Sequence, residues 1–255
     1  IDPETGQLII SGMGELHLEV LQHRLLDDWK VDATVGTPRV SYRESITKDV
    51  EIRGKHVKQT GGSGQYGDCI LKIRPMTSEE VTAHGDFVFE DKIKGGAIPR
   101  EYIPAISYGC KAELARGYVA GYPIIGVHIT LIDGSYHDVD SSEMAFRAAG
   151  ALAMRLAFEK LGVQLLEPWM RVEVETPDEF TGNVIGSLNS KRAIINETVS
   201  RGVVTVVRGE VPLGEMFGYT TDLRSLTQGR AAFSMEPGDY KAVPQSMVEV
   251  IAKKS

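Results

Sequence analysis

Apolar and polar residues alternate through EIRGKHVKQT (51–60) and again through DCILKIRPM (68–76), where Ile70 and Ile73 stand among polar neighbours. A period of two predicts a pair of strands, and the glycine-rich stretch GGSGQYG (61–67) between them becomes a protruding loop. Beyond a polar insert at 77–86 the pattern predicts a third strand, DFVFEDKI, a turn, KGGAIP, and a helix from about Pro104 to Arg116 that carries Cys110. The stretch 124–162 then reads as a strand, a turn at Asp133-Gly134 and a long helix ending at Gly162. Asp140 is the expected N-cap, with Glu143 three residues on completing a capping box. Apolar positions cover most of the circumference of this helix, which predicts burial on more than one side.

Outside this central segment the periodicity changes. Near the start, a Pro3-Glu4-Thr5-Gly6 turn leads to a short strand, QLII (7–10), and a helix in which Leu18, Leu21 and Leu25 recur at helical spacing. The β-branched stretch 31–46 follows, with Pro38 suiting an edge strand or a strand leaving the domain. After LLEPWMRVEVETP, where Pro168 is the expected hinge, the elements run strand MRVEVET, helix 178–192, strand AIINETVS, turn Arg201-Gly202, strand VVTVVRGEV, helix 214–228 and strand AAFSME. That β-α-β-β-α-β order is ferredoxin-like, and PQSMVEVIAKK is expected to add a last short helix. The chain is thus predicted to be multidomain α+β: an incomplete βαβ segment at 1–45, a β/α domain at 46–166 and a ferredoxin-like domain at 167–255.

Composition narrows the function. Among 255 residues the formal net charge is −7, so any contact with nucleic acid must be local rather than a general basic attraction. Two cysteines, Cys69 and Cys110, fit neither a disulfide framework nor a CxxC metal site and suit a reducing compartment. The longest apolar stretch, YPIIGVHITLI (122–132), is too short to span a bilayer. The chain opens without an initiator Met or an apolar leader and reads as a piece of something longer.

The glycine loop is not a phosphate cradle of a known kind: it runs into a strand, and no GK[ST] occurs anywhere in the sequence. A mobile hairpin loop is the plain reading of its glycines. In DGSYHDVDSS (133–142), His137 with Asp138, Asp140 and Ser141 nearby suggests a metal site or a hydrolase, but the ligand spacing and the G-x-S-x-G elbow are both missing. An exposed turn histidine is the simpler account. A third reading is a polar tip: if the two loops lie side by side, Gln65, Tyr66 and His137 converge on one surface suited to reading RNA shape and hydrogen bonds. Lys48, Arg53, Lys55 and Lys58 are either a local positive stripe beside it or a solvated strand face. Near the end of the penultimate helix, Arg224, Ser225 and Gln228 either complement the helix dipole or contact RNA.

Taken in order, SGMGELHLEV, YRESI, QTGGSGQYG, GGAIPREYIPA, DGSYHDVDSSEMAF, LEPWMRVEVETP and GEMFGYTTDLRSLTQGR resemble the C-terminal part of the bacterial elongation factor G family across essentially the whole chain. The resemblance implies the latter half of domain III (1–45), a partial ferredoxin-like segment, then domain IV (46–166), an elongated arm related to a small-subunit ribosomal-protein fold, and domain V (167–255), ferredoxin-like. It implies that the arm's tip loops, Gly61, Gly62, Ser63, Gly64, Gln65, Tyr66 and Gly67 with Ser135, Tyr136, His137 and Asp138, hold tRNA and mRNA in the small-subunit decoding site, with Gln65 and His137 on the codon–anticodon backbone. Arg224, Ser225 and Gln228 would contact the sarcin–ricin loop of large-subunit rRNA. The implied parent is a monomeric cytoplasmic GTPase promoting translocation on the ribosome, with GTP and magnesium held upstream and no catalytic, cofactor or metal residue in this chain. The alternative is a paralogue specialised in ribosome recycling or ribosome protection. Ser63 stands where many members have arginine, and SLNSKRAII replaces an acidic start and an Arg-Arg-Gly ending. The near-complete tip match favours a translocase.

Overall fold

The computed structural model describes residues 1, 6–10, 12, 15–36, 38–59 and 64–253, which form two compact units: 42–166 with 242–255, and 1–41 with 167–241. In the second unit, helix α1 (Glu15–His23) runs into a π-helical turn, Arg24–Asp28, closed by the Trp29 N–H on the Arg24 carbonyl at 2.9 Å. The strand expected at 7–10 is absent: no ladder forms there, and Leu8, Ile9 and Ile10 are exposed. Apolar composition makes a strand only where a neighbouring edge accepts its hydrogen bonds. The expected turn at 3–6 falls partly outside the described residues.

In the first unit, β1 (Arg43–Ile46) is the only strand formed among the described residues of 31–46. It is followed by β2 (Val50–Lys58), β3 (Gln65–Pro75), α2 (Ser78–His84), β4 (Phe87–Asp91), α3 (Ile103–Arg116), β5 (Val127–Ser135) and α4 (Glu143–Leu161). The polar insert therefore contains a helix, begun by a capping box in which Thr77 Oγ accepts from the Glu80 N–H while the Glu80 carboxylate accepts from the Thr77 N–H. The sheet order is β2-β3-β5-β4, with β2, β3 and β5 antiparallel and β4 parallel to β5.

Helices α3 and α4 cover one face of this sheet, so alternate residues of β3 and β5 (Cys69, Leu71, Ile73; Val127, Ile129, Leu131) are wholly buried against Phe146, Ala149, Ala153 and Met154. Each such aliphatic side chain contributes about 1.5–3 kcal/mol by leaving water. Contact is close because glycine permits it: a Cβ on Gly54 would lie 2.2 Å from the Ala149 carbonyl oxygen, and one on Gly67 2.5 Å from that of Ala145. As expected, α4 is buried on more than one side, against the sheet and against α3.

Two local expectations fail here. Asp133 and Gly134 are not a turn but the end of β5, paired with Ile70 and Cys69 after a bulge between Ile70 and Leu71. The N-cap of α4 is Ser142, whose Oγ accepts from the Ala145 N–H at 3.2 Å, not Asp140. A serine one residue from the helix start competes directly with an aspartate three residues away, and proximity wins. In β1, buried Glu44 accepts backbone N–H bonds from Tyr118, Val119, Ala120 and Tyr122 and so fixes the loop after α3.

Strand β6 (Val163–Pro177) runs through Pro168, and the two units divide between Leu166 and Glu167, beside the expected boundary. The proline lies between residues 163–166, registered with β1, and 169–177, registered with β8, a gap in both ladders where a missing N–H is tolerated. Helix α5 (Thr181–Ser190), β7 (Ile194–Arg201), β8 (Val204–Pro212), α6 (Tyr219–Thr227) and β9 (Ala232–Ala242) complete the ferredoxin-like order, with β7-β8-β6 side by side and β9 also on β6. Its core joins Val172, Val174, Val207 and Val211 of the sheet to Val184, Leu188, Tyr219 and Leu223 of the helices. The predicted final helix is α7 (Gln245–Ala252).

Candidate nucleic-acid interface

At one end of the β2-β3-β5 sheet the described part of the first loop, from Gly64 onward, lies beside the second. The Asp140 carboxylate accepts the Gly64 N–H at 2.9 Å, the Asp140 carbonyl accepts the Tyr66 N–H at 2.8 Å, and Ser141 Oγ donates to the Tyr66 carbonyl at 3.0 Å. Gly61, Gly62 and Ser63 lie outside the described residues. Of the remaining glycines, Gly64 makes room for Asp140, since a Cβ would come within 2.9 Å of its carboxyl carbon, and Gly67 is buried against α4. Helix packing, rather than an approaching ligand, explains the glycine at 67.

Strand alternation divides the expected cluster. Tyr66 faces the helix-free side of the sheet, its ring 6.2 Å from that of exposed His137. Gln65 faces the other side, where its amide oxygen is 2.9 Å from His56 Nε2. Tyr136, 45% exposed, and Val139, 75% exposed, stand on the same turn as His137 and Asp138. His137 Nδ1 accepts from the Val139 and Asp140 N–H groups at 3.3 and 3.2 Å, which leaves the neutral ring's proton on Nε2, away from the turn. The ring therefore caps its own loop, and Ser141 Oγ is engaged with the His137 N–H and Tyr66, so no nucleophile is offered to a His137–Asp140 pair 3.6 Å apart. Among the described residues no cluster of His, Cys, Asp or Glu could hold a metal ion.

Behind Tyr66 lies a group that sequence reasoning missed. Asp68, its side chain wholly buried, is held by Arg53 through Nε at 2.8 Å and Nη2 at 2.5 Å, and it accepts from Ser135 Oγ at 2.6 Å, which in turn is 2.7 Å from the Tyr66 hydroxyl. Burial alone would raise the Asp68 carboxyl, but hydrogen bonds from Arg53 and Ser135 and the guanidinium charge outweigh it and hold the group below its ordinary range. Of the proposed positive stripe, Arg53 is thus engaged by Asp68 while its own side chain stays exposed, and Lys55 sits 5.7 Å over the Tyr66 ring. The available signal was an aspartate inside a strand, where Asp is disfavoured without a partner.

In the C-terminal unit, Arg224, Ser225 and Gln228 are all exposed around the end of α6. Gln228 holds φ +54°, and the Gly229 N–H closes on the Arg224 carbonyl at 2.8 Å. A non-glycine residue in this left-handed cap is unusual, and Gln228 is exposed there.

Comparisons with known proteins agree along the chain. Residues 38–161 match the family model described as elongation factor G, domain IV, residues 164–251 that of the elongation factor G C-terminus, and residues 1–37 that of elongation factor G, domain III. Elongation factor G of Fervidobacterium nodosum is 50% identical over 253 residues, 99% of this chain and 36% of that protein. A crystal structure of a Thermus thermophilus protein superposes with a TM-score of 0.84 at 39% identity, covering 99% of this chain and 37% of the other. The chain thus spans little more than a third of each relative's length.

Proposed function

The chain belongs to the elongation factor G family, and from that premise we propose that it is the ribosome-binding module of a translational GTPase that promotes tRNA–mRNA translocation. The tip around Tyr66, His137 and Gln65 enters the decoding site and holds the codon–anticodon duplex. Arg224, Ser225 and Gln228 rest on the sarcin–ricin loop. The observation that supports this best is the joining of the two tip loops through Asp140, which turns two separate strand ends into one rigid, nearly neutral, hydrogen-bonding surface. Such a surface suits an RNA of fixed shape better than it suits bare phosphate charge. GTP and magnesium belong to another domain of the parent: no G-x-x-x-x-G-K-[ST] occurs here, and no nucleotide chemistry falls to these residues. The module works as a monomer in the cytoplasm. Among its described residues no helix is long and apolar enough to cross a membrane.

Exposed Val139 offers a direct test. Cys69 and Cys110 are buried, with the Cys69 thiol pushed up to about 12 by desolvation, so a Val139→Cys variant can be tethered selectively to an RNA-cleaving chelate. Bound to bacterial ribosomes, it should cut rRNA around the decoding site, and intact elongation factor G should suppress those cuts. Scattered cuts that fade steeply with salt would instead indicate non-specific phosphate attraction and defeat the proposal.

A further inference from the structure

The hydrogen bonds behind the tip have a direction. Asp68, ionised beside Arg53, can only accept, so Ser135 Oγ must donate its proton to Asp68, and the Tyr66 hydroxyl must donate its own proton to Ser135. The chain Tyr66→Ser135→Asp68 therefore consumes the tyrosine proton and leaves the phenolic oxygen with acceptor capacity alone. His137 has the opposite polarity, with Nδ1 accepting from its own turn and Nε2–H left as a donor. Partly exposed Tyr66 and exposed His137, 6.2 Å apart, thus present an acceptor beside a donor.

An acceptor-only hydroxyl repels phosphate and carbonyl oxygens, which offer no hydrogen. On RNA the donors are the exocyclic amines and ring N–H groups of the bases, which vary with sequence, and the ribose 2′-hydroxyl, which every nucleotide carries. A tip that must accept successive codons has use only for the second kind. We infer that Tyr66 is a ribose reader, its oxygen fixed by Ser135 and Asp68 as an acceptor for a 2′-hydroxyl of the RNA at the tip. This rests on the reading of the tip as RNA-facing, and it adds to that reading a discrimination between ribose and deoxyribose. Asp68 and Ser135 are positioning residues: they touch no RNA and set the proton's direction.

The test places the substitution on the RNA first. The whole chain is bound to small ribosomal subunits carrying tRNA and an mRNA whose codon riboses are replaced singly by 2′-deoxy or 2′-O-methyl residues, and affinity is measured by sedimentation. At one ribose both replacements should weaken binding roughly two- to tenfold, because the methyl ether keeps the oxygen and loses the donor. Tyr66→Phe should lose the same factor on unmodified RNA and become indifferent to the modification. Ser135→Ala frees the tyrosine proton, so binding should persist while the 2′-O-methyl penalty falls. Binding at the decoding site that is equal at every ribose, or a Tyr66→Phe variant that still discriminates, overturns the ribose reader and leaves the tip's location intact. Absence of binding at the decoding site overturns both.

Discussion

On the helix-free face of the C-terminal sheet, Arg208 of β8 lies opposite Glu173 of β6 and Glu197 of β7, bonded to them at 2.6 and 2.9 Å, with all three side chains substantially exposed. On the helix-free face of the central sheet, Arg53 of β2 holds Asp68 of β3, and here the carboxylate is wholly buried and bonded onward to Ser135 and Tyr66. The drawn pattern is the same, an arginine across a strand pair from a carboxylate, but the physics differs. Exposed pairs in water neutralise one another and fix little. A buried carboxylate must satisfy its lone pairs inside the protein, so its neighbours lose their freedom and acquire defined proton positions. One arrangement tiles a surface, and the other aims a side chain.

The strongest way to break this contrast is to disturb the backbone on which the central pair rests. Gly54→Ala places a Cβ 2.2 Å from the Ala149 carbonyl oxygen and 2.7 Å from the Ala153 Cβ, both in the spine of α4. Neither can yield without moving the helix, so unfolding of the central unit in denaturant should shift by more than about 3 kcal/mol, or the variant should fail to fold. A loss under about 1 kcal/mol would mean that α4 is free to move off the sheet, and the rigidity argued for the tip would fall with it.

Next in size is Asp68→Ala, expected to cost about 2–4 kcal/mol in chemical denaturation, because Ser135 loses its acceptor in a closed site while Arg53 can recover water. The effect should depend on pH with a definite sign. The folded carboxyl lies below its ordinary range, so its contribution is fully present at neutral pH and is lost as the pH falls below about 4 towards the depressed value. The gap between parent and variant should therefore close in acid. A gap independent of pH would assign the loss to packing.

These two positions also mark where sequence reasoning reached its limit. The alternation in β2 and β3, the length of α4 and the βαββαβ order were legible because period and turn chemistry are local. Gly54, Gly67 and Asp68 were not, since their meaning lies in a helix about 80 to 100 residues away and in a strand end at Ser135. The strand expected at 7–10 failed for the same reason in reverse, its partner being assumed rather than found. Of the candidate site, the proximity of the two loops was readable, whereas the split of Gln65 and Tyr66 between opposite faces required knowing that the strand begins at Gln65.

In the C-terminal unit glycine should behave oppositely. Gly186 lies within α5, and a Cβ there would meet nothing within 4 Å. Gly186→Ala should raise the stability of that unit by about 0.5–1 kcal/mol, since alanine loses less backbone entropy in a helix interior. Destabilisation would show that this helix face is covered.

The smallest effect sharpens the comparison most. Arg208→Ala removes an arginine with a hydrogen bond on each side and raised proton affinity caused first by its bond to Glu173 and then by that to Glu197. In its hydrogen bonds to carboxylates it rivals Arg53. Yet both glutamates remain in water when it is removed, so the denaturation midpoint should stay within experimental scatter at moderate salt. Raising the salt to about 1 M, where the screening length shrinks to about 3 Å, should abolish any residue of the effect while leaving the Asp68→Ala loss largely unchanged. If Arg208→Ala proved as costly as Asp68→Ala, or if salt erased both alike, burial would not be what separates the two faces, and the directed hydrogen-bond chain behind Tyr66 would have no special claim to rigidity.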